Sequence, residues 1–387
     1  VDCVVGTSMG AIVGGAMATG MPVNDMEQAV TTADWDHIFG DKPKRKDIPY
    51  FRKRDDEKDY FDFTLTLKDF WPVPPRNLVG VHYITQFFRQ LTGGLEVEEF
   101  DDLPIPYRAI GADLESGKTV IMRHGDLPLV MRASMSVSGV FPPVPYENYL
   151  VVDGGIVKNM GIDEGRKLCG DVVIAVNVSS PSTNRQKLES LFAVSEQTIN
   201  IAVQKDMQAQ IATLTPQDVL ITPEMGKLSS TDFKEASQFI AAGEKAAKAS
   251  LKQLQRYALS ETDYQAWQQQ IQTRKFKHKP ISKVEITGSH WVSPQVLKSL
   301  LAVKKGEVLD QAQLHDSIDK IYARGDFVRI GYQLLPEAQN SLLRIIPVDK
   351  DGRDFARIGL NLHTDFANNS SFGLVAALRR SWLNQLG

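Results

Sequence analysis

Val4-Val5-Gly6-Thr7-Ser8-Met9-Gly10-Ala11 is the stretch on which the reading of this chain turns. A short, mostly apolar run, Val1–Val5, leads into Gly-x-Ser-x-Gly, and a run of small residues, Ala11–Thr19, follows. The first reads as a strand and the last as a helix, which is the context in which this motif presents a nucleophilic serine. A turn so tight predicts a strained backbone at Ser8, with Gly6 and Gly10 lacking the side chains that would collide across it. Ser8 is then held at a strand end with its hydroxyl exposed, at a helix N-terminus whose dipole favours developing negative charge. Gly14-Gly15-Ala16 is small enough for that helix to lie close on the sheet. The competing reading is a glycine-rich phosphate turn, and the absence of a Walker lysine after Gly10 weighs against it.

Outward from the turn, strand-like and helix-like stretches alternate. Tyr107–Ala112, Thr119–Met122 and Tyr149–Val152 read as strands, and Asp171–Val178 as an apolar strand of the kind buried in parallel sheets. Interleaved strands and helices predict an α/β layer fold. Phe233–Leu254, apolar at Ala236, Ile240, Ala247, Leu251 and Leu254, reads as an amphipathic helix closing this domain. The polar, basic stretch Gln268–Lys279 reads as a linker. A compact unit in the order β-α-α-β-β follows: strand Ser282–Thr287, a helix capped by Ser293-Pro294, helix Asp310–Ala323, and strands Phe327–Leu335 and Ser341–Val348. The last stretch alternates with period two. Ile358, Leu360 and Leu362 share one face with Phe372, Leu374, Ala376 and Leu378, with a turn at Asn368-Asn369. That pattern fits a transmembrane β-barrel with its apolar face outward, and equally an amphipathic hairpin of a soluble sheet.

A serine nucleophile needs a base. Of the histidines, His278, His290, His315 and His363 fall after the first domain, while His37, His82 and His124 sit in polar or loop-like contexts and read as surface or packing residues. Leu150-Val151-Val152-Asp153-Gly154-Gly155 offers a better candidate: a carboxylate at a strand end, followed by glycines that let other backbone approach. Asp153 could accept the serine proton directly if burial lifts its pKa, whereas a plain Asp-Gly-Gly turn has no such role.

These motifs together resemble the patatin-like phospholipase family, from Val1 to about Leu254. The resemblance is carried by Gly6-Thr7-Ser8-Met9-Gly10, then Arg132-Ala133-Ser134-Met135-Ser136 with Gly139-Val140-Phe141-Pro142-Pro143, then Asp153-Gly154-Gly155 and Asn159. It implies a three-layer α/β fold with a mostly parallel sheet and a Ser–Asp dyad, Ser8 as nucleophile and Asp153 as base, acting on lipid acyl esters through an acyl-enzyme. It also implies a glycine-rich oxyanion loop and strand upstream of Val1, so that here the Met9 backbone N–H supplies one donor and the fragment is impaired. Ser138 and Met160-Gly161 depart from the family pattern in ways expected to alter loop shape.

The β-α-α-β-β unit resembles a POTRA domain through Val284-Glu285-Ile286-Thr287-Gly288 and Gly325-Asp326-Phe327. Patatin-like domain, single POTRA and barrel strands in that order resemble the patatin-like autotransporters of Gram-negative bacteria. This implies a lipase domain at the cell surface or secreted, an outer-membrane anchor, and the barrel-assembly machinery as a partner. The expected layout is 1–267 for the hydrolase, 268–279 for the linker, 280–350 for the POTRA domain and 351–387 for truncated barrel strands. The alternative is an assembly or secretion module with an inactive patatin-like passenger.

The totals exclude less than they allow. A charge balance of 44 − 47 = −3 leaves no nucleic-acid footprint. Cys3 and Cys169 form no metal pattern and no disulfide framework. No cofactor or metal is expected, and an oligomer is compatible with the resemblance. Both ends read as cut, so the lack of a signal peptide says nothing about where the parent protein goes. Lys42-Pro43-Lys44-Arg45-Lys46 and Arg52-Lys53-Arg54, near Tyr50, Phe51, Tyr60, Phe61, Phe63, Phe70 and Trp71, suit either an anionic lipid surface or a solvated loop over packed aromatics.

Overall fold

The computed structural model describes residues 1–55, 65–68, 71–73, 79–94, 96–179, 191–277, 279–352, 354–364 and 370–380. Its internal contacts divide the chain into two units, Val1–Ile38 with Phe87–Lys277, and Phe39–Gln86 with His278–Gly387.

In the first unit, the strand Val4–Thr7 leads into the helix Met9–Ala18, as the small-residue run predicts. The main sheet has the order Val4–Thr7, Tyr107–Asp113, Tyr149–Asp153, Val144–Tyr146, with Thr119–Met122 also paired to Tyr107–Asp113. The expectation of a mostly parallel sheet is corrected here. Only Val4–Thr7 runs parallel to Tyr107–Asp113, and the other pairs in this sheet are antiparallel. The cause is connection length: the short turns from Tyr107–Asp113 to Thr119–Met122, and from Val144–Tyr146 to Tyr149–Asp153, can only return the chain antiparallel. The apolar run at Asp171–Val178 yields a strand of three residues, Ile174–Val176, parallel to Val219–Ile221 in a separate two-stranded sheet. Ile174, Val176 and Val178 are exposed rather than buried.

The expected closing helix is broken into a 3-10 turn at Phe233–Glu235 and helices Ala236–Ala249 and Leu251–Leu254, with Leu251 exposed. The unit closes later. Residues read as linker belong largely to the helix Glu261–Arg274, whose N-cap Ser260 accepts from the Asp263 N–H and whose Ile271 is buried. Only Ile271 of this helix is buried; Tyr264, Ala266 and Trp267 lie in its first half, and Ile271 alone among the polar residues of the second gives no helical period, which is why that half reads as linker.

Cys3 and Cys169 form a disulfide with a Cα–Cα distance of 6.1 Å. The sequence offers no disulfide framework because 166 residues separate the two, and only the fold brings the start of the first strand to the end of the helix Ile162–Leu168.

The second unit contains the β-α-α-β-β order: Ile281–Ile286, Pro294–Ser299, Gln311–Tyr322, Phe327–Pro336 and Ser341–Asp349. The sheet order puts Ser341–Asp349 in the centre, parallel to Ile281–Ile286 and antiparallel to Phe327–Pro336. Leu314, Ile318 and Ile321, at helical spacing, pack with Phe327, Leu343 and Ile345 into one core, each contributing roughly 1.5–3 kcal/mol by burial. Asp310 caps the second helix by accepting from the Gln313 N–H.

Residues 39–86, expected in the hydrolase domain, contribute to this second unit. The strand Leu65–Lys68 pairs with Asp354–Thr364, extending a sheet in the order Ser370–Arg380, Asp354–Thr364, Leu65–Lys68, Trp71–Val73. Asp354–Thr364 and Ser370–Arg380 pair antiparallel, in a backbone register that sets Ile358, Leu360 and Leu362 opposite Ala376, Leu374 and Phe372. Among the described residues the sheet is open, with no closed barrel. Asn368-Asn369 lies outside the described residues, as do His278 and, in the basic and aromatic stretch, Tyr60, Phe61, Phe63 and Phe70. Of that stretch, Tyr50 and Trp71 are exposed, while Arg52 donates to the Ala323 carbonyl at 2.7 Å.

Candidate active site

The tight turn forms as its residues dictate. Ser8 takes φ 54° and ψ −118°, a left-handed conformation that a residue with a Cβ adopts only under constraint. Gly6 is indispensable to it, because a Cβ there would sit 2.1 Å from the Gly10 carbonyl oxygen. The expected mirror role for Gly10 does not hold: a Cβ at Gly10 would meet open space. Thr7 steadies the turn by donating its hydroxyl to the Lys158 carbonyl at 2.9 Å.

Sheet register brings the acid to the serine. On the shared strand Tyr107–Asp113, Ile110 pairs with Thr7 and the next residue, Gly111, pairs with Asp153. Ser8 and Asp153 therefore emerge at the same level from strands flanking Tyr107–Asp113. Their side chains meet across 145 positions of sequence: Ser8 Oγ donates to Asp153 Oδ2 at 2.6 Å. Asp153 Oδ1 accepts the Gly155 N–H at 2.8 Å, and the Asp153 N–H donates to the Ser136 carbonyl. Gly154 lets the acid's backbone press on the central strand, since a Cβ there would lie 2.5 Å from the Ile110 carbonyl oxygen.

Burial pushes the Asp153 carboxyl above the usual carboxylate range, opposed by the hydrogen bonds from Ser8 and Gly155. Ser8 is half-buried, while Met9 and Gly10 beside it are exposed. A carboxylate out of water thus faces a hydroxyl that a substrate can reach. Such a pair can deprotonate the serine as it attacks a carbonyl.

Residues 1–165 match the patatin-like phospholipase family model. The N-terminal region is a patatin-like phospholipase domain. It is similar to patatin-like phospholipase domain-containing protein 7 of Mus musculus, at 35% identity over 98 residues, covering 25% of this chain and 7% of that protein. An NTE family protein of Mycobacterium tuberculosis is 24% identical over 272 residues, covering 65% of this chain and 41% of the relative. A further NTE family protein, of Mycobacterium bovis, is 34% identical over 91 residues, 24% of each chain. The chain thus spans less than half the length of these relatives.

Two of the histidines weighed as bases are engaged elsewhere. His124 pairs with Glu147, Nε2 to Oε1 at 2.6 Å. His82 lies in the second unit, without solvent exposure. Ser134, quoted in the sequence only as part of a motif, has a contact that sequence reading missed: its Oγ accepts the Ser8 N–H at 2.9 Å. The signal was the second serine-bearing motif itself, Arg132-Ala133-Ser134.

Proposed function

We propose that the chain is a serine lipid-acyl hydrolase, of phospholipase A or esterase type, with Ser8 as nucleophile and Asp153 as base. The single observation that carries this reading is the 2.6 Å hydrogen bond from Ser8 to a buried aspartate. Ser8 Oγ attacks the ester carbonyl carbon while its proton passes to Asp153. The tetrahedral intermediate collapses, and the departing alkoxide takes that proton. Water then attacks the acyl-enzyme, giving a proton to Asp153, and Ser8 recovers it as the fatty acid leaves. The Met9 N–H, first of its helix, has no acceptor within the helix and serves as one oxyanion donor. The glycine-rich loop and strand expected upstream would supply the others.

We further propose that this domain is carried on an outer-membrane protein of a Gram-negative bacterium, in the autotransporter arrangement. The β-α-α-β-β unit supports a POTRA-like module. Phe372, Leu374 and Leu378 are 80%, 72% and 75% exposed on alternate positions of one strand, a face costly in water and suited to lipid. The Cys3–Cys169 disulfide supports an oxidising compartment. Barrel-assembly machinery would be the partner of such strands.

The test is phospholipid hydrolysis by the full-length protein beside Ser8→Ala and Asp153→Asn. Loss of fatty-acid release in both variants is expected. No release from the parent, with secretion intact, would leave the assembly module with an inactive passenger as the reading.

A further inference from the structure

We propose that Ser134 is a positioning residue whose buried hydroxyl fixes the backbone of Ser8, so that the reacting Oγ stays on Asp153. This rests on the hydrolytic reading of Ser8 given above.

A strained residue persists only where its surroundings over-determine it. The helix that follows Ser8 gives its amide no acceptor, because the first N–H groups of a helix have none within it. Ser134 supplies one. Its Oγ accepts the Ser8 N–H at 2.9 Å and donates its own proton to the Ile110 carbonyl at 2.6 Å. A hydroxyl carries one proton, so donation to Ile110 leaves a lone pair for Ser8 and fixes the orientation of the group. Ser134 is 0% exposed, so water does not compete for either bond.

Ile110 is also the residue that pairs with Thr7, and its carbonyl is the one against which Gly154 packs. Nucleophile and acid are thereby referenced to a single peptide of the central strand, one through Ser134 and the other through Gly154. Another consequence concerns the oxyanion. With the Ser8 amide committed to Ser134, the amide left at the turn to meet developing negative charge is that of Met9. Removing the Ser134 hydroxyl leaves the Ser8 N–H and the Ile110 carbonyl without a partner and releases Ser8 from its conformation.

The experiment is the rate at which an alkyl fluorophosphonate labels Ser8 in the full chain. Ser8 Oγ bonds to phosphorus, fluoride departs and the serine proton goes to Asp153. Site assignment by mass spectrometry is paired with steady-state hydrolysis of a p-nitrophenyl ester and with thermal unfolding. Folded Ser134→Ala and Ser134→Cys are expected to label about 10–100-fold more slowly, with kcat reduced in parallel and KM unchanged. Ser134→Thr, which keeps the hydroxyl, is expected to recover most of the rate. Labelling of folded Ser134→Ala or Ser134→Cys at the parental rate would overturn the proposal, and so would failure of both to fold, which would assign the hydroxyl to folding alone. A parent that is not labelled at Ser8 at all would instead overturn the hydrolase reading, and the positioning role with it.

Discussion

Asp153 in the first unit and Asp41 in the second are both aspartates that burial pushes above the usual carboxylate range. Asp41 accepts from the His82 and Tyr83 N–H groups at 3.1 and 3.0 Å and from the Tyr322 hydroxyl at 2.8 Å. The His82 ring stacks on Tyr322 at 3.8 Å, and its Nδ1 accepts the Ile330 N–H. Every one of these partners is internal to its unit and is itself held by the fold. Asp153 has the Gly155 amide and one mobile proton, that of a hydroxyl on a half-buried residue followed by the exposed Met9 and Gly10. The difference teaches that burial alone does not make a carboxylate a base. An acid saturated by two backbone amides and a tyrosine hydroxyl fastens a structure, and one whose partner hydroxyl remains accessible can pass a proton on.

The sharpest way to break the comparison is to exchange both acids for amides. Asp153→Asn should cut ester hydrolysis by about 10⁴-fold or more and leave the melting temperature as high as the parent's. Asp41→Asn should retain kcat per folded molecule and lower the melting temperature. Activity surviving in the first, or lost from a folded second, would invert the assignment.

Effects on stability come next. Replacing both cysteines, Cys3→Ser with Cys169→Ser, should destabilise the protein by roughly 3–5 kcal/mol in denaturant unfolding, because the bridge closes a very long loop. Asp41→Ala should cost roughly 2–4 kcal/mol by orphaning two amides and a tyrosine hydroxyl.

The smallest effect is in pH dependence. A base must be ionised, so hydrolysis should fall as pH drops through the raised Asp153 pKa, with an inflection above that of an ordinary aspartate. Stability runs the other way at this residue. Between the unfolded value and the raised folded value the native state holds the extra proton, so its contribution declines as pH rises through that window. Asp153→Asn should flatten that decline in a series of melts. A parent whose hydrolysis holds level down to the range of a free aspartate would remove the claim that burial tunes this group.

What the sequence disclosed follows from how local each feature is. The turn at Gly6–Gly10 was legible because strand, strained serine and helix are contiguous. So was the start of the helix Gln311–Tyr322, where Asp310 caps the first turn, whereas Ser293 precedes its helix without a side-chain capping bond. Sheet direction was not, because it depends on short returns such as the one between Tyr146 and Tyr149, whose meaning emerges only with register. The attachment of residues 39–86 to the second unit was hidden for the same reason: Leu65–Lys68 finds its partner near Asp354, far along the chain. The disulfide and the Ser134 contact likewise join residues 166 and 126 positions apart. Asp153 could be nominated from its strand-end glycines, yet its distance from Ser8 required the antiparallel pairing of Gly111 that parallel-sheet reasoning did not supply.

The most direct test is to quench the full chain during turnover of a slow fatty-acyl ester and weigh its peptides. The account predicts one acyl group on the peptide bearing Ser8, absent from Ser8→Ala and scarcely formed in Asp153→Asn. Hydrolysis proceeding with no acyl group on that serine, or with the acyl group on another residue, would contradict it.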